Sequence, residues 1–173
     1  MRRILVVVAA LAACGGSDEE HDLTGEWVSQ NDAADEALGA MADTLEQFGA
    51  TVSPRAADWI APDDGATLDR AAPPTFEWTP KGTASLARHL KTTGHFVWLR
   101  LETPGDDVPM DVISIEDGEA QPTSFTPTAA QWARISAGGS ITARLVTAEL
   151  DHARVVEGPF EAADSARTFT IGP

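Results

Sequence analysis

One cysteine, no tyrosine and two lysines do most to narrow what this chain of 173 residues can be. With Cys14 as its sole cysteine it cannot form an intrachain disulfide, so the fold has to stand on packing. The lack of tyrosine removes the commonest polar aromatic from any binding surface. Lysine occurs only at Lys81 and Lys91, and 12 Lys and Arg face 27 Asp and Glu, a formal charge of −15. A surface of that sign opposes nucleic acid and anionic lipid, so no nucleic-acid partner is expected. The apolar run Ile4–Ala10 falls far short of the roughly 20 residues that cross a bilayer. No Gly-x-Ser-x-Gly turn is present to hold a nucleophilic serine. Gly138-Gly139 lacks the spacing and the lysine of a phosphate-binding loop. His89 and His95 lie six apart, which does not match a helical zinc pair, and they read as solvated loop histidines. These absences point away from an enzyme.

The N-terminus is where the sequence is most specific. Arg2 and Arg3 form a basic head, Ile4–Ala10 an apolar core, and small residues precede the cysteine, which is the layout of a signal peptide. Leu11-Ala12-Ala13-Cys14 resembles the lipobox of bacterial lipoproteins. The resemblance implies that Leu11, Ala12 and Ala13 are recognised, that residues 1–13 are removed, and that Cys14 becomes a lipidated, N-acylated terminus. One acyl chain holds a protein only marginally, at about 0.8 kcal/mol per buried methylene, whereas two or three hold it lastingly. Losing Arg2 and Arg3 leaves 10 bases against 27 acids, a formal charge of −17. Membrane attachment is then through lipid and not through a basic patch. Gly15, and not Asp, follows the cysteine, which within the Gram-negative members of that family implies the outer rather than the inner membrane. The competing reading is an ordinary secretory signal cleaved elsewhere.

Residues 14–22 are small and acidic without periodicity, and read as a lipidated flexible tether reaching some 15–20 Å. Residues 23–58 read as a short strand, an amphipathic helix and a connector. The strand carries Gly25-x-Trp27, which resembles the opening of lipocalin barrels and keeps a lipocalin-like small-ligand carrier as an alternative. The helix spans 32–48, capped by Asn31 or Asp32 and closed by Gly49, with Ala34, Leu38, Met41, Leu45 and Phe48 on one face. Alone it would be marginal in water, so its stripe must pack on its own domain, on a partner or on a second copy.

From 59 onward the pattern changes to alternating strands and Pro/Gly turns. Trp59-Ile60-Ala61-Pro62, the turn Asp64-Gly65-Ala66-Thr67-Leu68 and Pro74-Thr75-Phe76-Glu77-Trp78 resemble the opening of bacterial immunoglobulin-like and fibronectin type III-like domains. Phe76 and Trp78 share a face, as do Val97, Leu99 and Leu101, with Phe96 and Trp98 opposite. A helical turn over 129–135 and a final strand with Phe169 and Ile171 inward complete the pattern. The chain departs from a plain module in a long insert, 79–94, and in lacking the tyrosine corner. The predicted fold class is therefore mainly β, an immunoglobulin-like antiparallel β-sandwich over 59–173, preceded by a lipoprotein signal peptide and a short amphipathic helix.

Two constellations remain. Asp63-Asp64 and Asp106-Asp107 read first as solvated turn acids; because they fall at one end of such a sandwich, the alternative is a converging hard-oxygen set suited to calcium, the one cofactor considered besides the covalent lipid on Cys14. Acids at 116–119 and at Glu149 and Asp151 read as further loop charges. In the insert, Arg88, His89 and Lys91 concentrate positive charge and are the predicted contact for an envelope protein or glycan partner. The functional expectation is a membrane-anchored cell-envelope lipoprotein acting as a non-catalytic binding or interaction module. A third alternative, an envelope enzyme, requires converging His and acidic side chains in a cleft.

Overall fold

The computed structural model describes residues 26–30, 35–81, 93–115 and 122–173. In chain order its elements are β1 (Glu26–Gln30), α1 (Asp35–Phe48), β2 (Thr51–Val52), β3 (Asp58–Ala61), β4 (Thr67–Asp69), β5 (Phe76–Thr79) and β6 (Gly94–Glu102). They continue with β7 (Met110–Ile115), β8 (Ser124–Phe125), α2 (Ala129–Ile135), β9 (Ser140–Asp151), β10 (Arg154–Glu161) and β11 (Ala166–Gly172). The chain is mainly β, in two sheets. An eight-stranded sheet runs β1-β7-β6-β9-β10-β2, with β11 also paired to β9 and β4 paired to β11. The smaller sheet is β3-β5-β8.

The alternation within β6 explains the layering. Val97, Leu99 and Leu101 turn to one face, where they meet Phe76, Trp78 and Phe125 of the small sheet in a shared core, a sandwich-like arrangement. Phe96 and Trp98 turn to the other face, where they join Ile113, Ile115 and Val146 beneath α1. Both sides of the central strands are thus buried, which is why they read as almost unbroken apolar runs. Helix α1 packs on its own domain through Ala37, Leu38 and Met41. Burial then fades along the stripe: Leu45 is half-buried and Phe48 is 74 % exposed. Ala34 lies outside the described residues.

The large sheet is mixed, which corrects the wholly antiparallel expectation. β1 pairs in parallel with β7, β2 with β10 and β4 with β11. Parallel neighbours need long crossovers, so these strands join the sheet from distant segments. The region before residue 59 is consequently hydrogen-bonded into the same sheet as the strands after it.

Helix α2 forms where predicted. Thr128 and Gln131 make a reciprocal capping box at its start. Trp132 is buried and donates its indole N–H to the Asp69 carbonyl at 3.1 Å. The glycine pair beyond it is structural: a Cβ on Gly138 would collide with Thr103, and Gly139 has φ +78°, a conformation that glycine adopts without strain. No helix among the described residues is long and apolar enough to cross a membrane.

Candidate functional site

Strands β6 and β9 lie antiparallel with Trp98 opposite Val146 and Arg100 opposite Arg144. On the helix side of the sheet this makes an apolar row followed by a row of two guanidinium groups. Above them, Ala42, Leu45 and Glu46 descend from α1. Between helix and sheet opens a groove of about 370 Å³, closed at one margin by Glu102. It lies where the burial of the helical stripe fades, so it is the gap left as α1 passes from the fully buried Met41 to the exposed Phe48. None of its eight lining residues carries a hydroxyl, thiol or imidazole. What they offer is an apolar wall, two cations and two carboxylates.

The charges around the groove are unequally served. Arg144 donates from Nε and Nη2 to Glu161 Oε2 at 3.2 and 2.9 Å, and Ser165 Oγ donates to the same oxygen. Arg100 has Nε at 3.1 Å from Glu102 and 3.6 Å from Asp111, and its guanidinium carbon lies 5.6 Å from the Trp98 ring centroid. Its Nε is buried yet makes no hydrogen bond to a described residue. Asp111, opposite Arg100 on β7, accepts the Trp98 indole N–H at 2.8 Å. Burial pushes its carboxyl above the usual carboxylate range, against the pull of Arg100 and Trp98. A second depression of about 390 Å³, lined in part by Pro104, Asp106 and Asp107, shares Arg100 and Glu102 as walls.

No family model matches this chain, and neither the curated proteins nor the solved structures contain a significant match to it.

No group of three or more His, Cys, Asp or Glu side chains suited to a metal gathers among the described residues. Asp63 and Asp64 sit in the β3–β4 turn, where the Asp63 carbonyl accepts Ala66 N–H and Asp64 Oδ1 accepts Thr168 N–H at 2.8 Å. Asp106, in the β6–β7 turn beside Asp107, accepts Val108 N–H at 3.0 Å and Arg134 Nη1 at 2.6 Å. The Val108 N–H, followed by Arg134, holds the Asp106 carboxyl below its usual range against some desolvation. Asp106 thus caps its own turn and is braced by α2, while Asp64 ties the β3–β4 turn to β11.

Leu11, Ala12, Ala13 and Cys14 lie outside the described residues, as do Arg88, His89 and Lys91. Lys81, before them, is ion-paired with Asp58. His95 corrects the reading as a solvated loop histidine: it is 2 % exposed on β6, its Nδ1 at 2.9 Å from Glu149 Oε1. Glu149 is likewise a buried strand residue and not a loop charge. His152, by contrast, is exposed and hydrogen-bonded to Asp151 at 2.7 Å.

Proposed function

We propose that this protein is a membrane-anchored cell-envelope lipoprotein whose folded body is a non-catalytic binding module of immunoglobulin-like or fibronectin type III-like kind. The observation that carries the reading is Leu11-Ala12-Ala13-Cys14 behind a basic head and a short apolar core, in a chain with no other cysteine. The lipid confines the body to the membrane plane, outer rather than inner, and the acidic tether keeps it within a few nanometres of the surface. The groove beneath α1 supports the binding part of the reading, because it presents an apolar wall beside paired charges. The insert bearing Arg88, His89 and Lys91 supplies a second contact for a protein or glycan partner.

The anchor is tested in a bacterial host by metabolic labelling with a clickable fatty acid. The wild-type chain is expected to take the label and to sediment with membranes. Cys14→Ala is expected to lose the label and appear in the soluble fraction. An unlabelled, soluble wild-type chain overturns the proposal. The module reading is tested separately, by photocrosslinking in intact cells from position 45 at the groove and from position 88 in the insert. Capture of a defined partner or ligand at either position is expected, and none at both sinks it.

A further inference from the structure

We infer that the groove beneath α1 binds a carboxylate with an apolar tail, the carboxylate held between Arg100 and Arg144 and the tail laid along Trp98, Val146 and Leu45. This names the ligand of the binding-module reading and rests on it. It is independent of the lipid anchor.

Three observations converge. Arg100 and Arg144 are direct cross-strand partners, and like charges placed so oppose each other. In a chain with 27 acids and 12 bases, two of those few bases stand side by side at one groove. Their neighbours neutralise them while leaving part of each donor set open. Glu161 occupies Nε and Nη2 of Arg144, which leaves Nη1 open, with no hydrogen bond to a described residue. Arg100 is ion-paired to Glu102, but donates no hydrogen bond to any described residue, and its Nε is buried. Arg134 shows what a structural arginine does in this fold, for it hydrogen-bonds Glu26, Asp106 and the Val108 carbonyl. Arg100 Nε thus has a carboxylate 3.1 Å away but no aligned acceptor, and a misaligned contact is much weaker than a hydrogen bond. An incoming carboxylate supplies an aligned one.

The class of anion follows from the surroundings. A guanidinium fork matches the two oxygens of a carboxylate. Glu102 pairs with Arg100, Glu161 pairs with Arg144 and Glu46 also lines the groove, so a doubly charged phosphate monoester is disfavoured more than a singly charged carboxylate. The apolar side chains continue away from the guanidinium row, so the ligand is amphipathic and not a free small acid. A volume of about 370 Å³ lies near the lower end for small-molecule sites, which suits an acyl chain of medium length.

The test is calorimetric titration of decanoate into the full chain carrying Cys14→Ser, with decanol and decyl phosphate as comparators. Saturable binding of decanoate is expected, with decyl phosphate weaker and decanol showing no saturation. Arg100→Gln and Arg144→Gln should each weaken decanoate by about tenfold or more, the loss of one charge-assisted pair. Ala42→Phe, which fills the groove from the helix side, should abolish binding with the melting temperature little changed. Should Arg100→Gln fail to fold, Arg144→Gln and Ala42→Phe decide the matter. The inference is overturned if decanoate does not bind, if decanol binds as well as decanoate, or if both arginine substitutions leave its affinity unchanged. A failure here together with crosslinking from position 45 in cells would overturn the ligand class and leave the binding module standing.

Discussion

Asp111 has a cation facing it across the strand and an indole N–H on its oxygen, and still its carboxyl is held above the ordinary range, because desolvation outweighs both. A raised acid binds its proton more tightly when folded. Between the usual carboxylate range and the raised value, the folded chain therefore carries more protons than the unfolded one, and stability falls as pH climbs through that window. Asp111→Asn keeps an oxygen for Trp98 and removes the titration. Relative to the parent, its unfolding free energy should improve as pH rises from about 4 to about 7, read from urea unfolding at several pH values. A difference that does not move with pH would show that burial does not govern this carboxyl.

At the scale of elements, α1 is a helix whose stripe is only partly used. Met41 is wholly buried beneath it and Phe48 is 74 % exposed at its end. Met41→Ala should cost about 2–5 kcal/mol, whereas Phe48→Ala should stay within about 0.5 kcal/mol. Equal shifts in the urea midpoint would mean that the helix seats differently. Which elements form was largely legible in the sequence, because period and parity are local properties. The parity of β6 placed Val97 and Leu99 opposite Phe96 and Trp98, and the packing agrees. The same parity puts His95 in line with Val97, a signal for its burial that the reading as a loop residue passed over. Leu45 was on the helical stripe, but the groove itself was not legible. It depends on Arg100 meeting Arg144 and on where α1 leaves the sheet, and both are set by register and packing between distant segments. The bond from Val108 N–H to Asp106 is local and legible in the turn sequence, whereas those of Asp64 to Thr168 and Asp106 to Arg134 join segments far apart in the chain and were not.

For the whole molecule, the decisive fact is that the large sheet is covered on both faces, by the small sheet on one and by α1 on the other. Cutting the chain at residue 59 would remove β1, α1 and β2 and bare Phe96, Trp98, Ile113, Ile115 and Val146 together. An apolar patch of that kind drives association. A chain beginning at residue 59 is therefore expected to aggregate, while one beginning at Leu23 keeps the parent's association state and melting temperature, as measured by light scattering and calorimetry. A soluble, equally stable shorter chain would make the helix an accessory. The parallel pairing of β1 also has a mechanical meaning. Glu26, the first residue of that strand, is held by Gln131 at 2.8 Å and Arg134 at 3.1 Å while the strand runs alongside β7. Tension applied to the chain ahead of Glu26 is divided at once between the β7 ladder and the braces from α2. A pull from the N-terminal side thus meets the middle of the fold's sequence before it can reach α1 or the groove behind it.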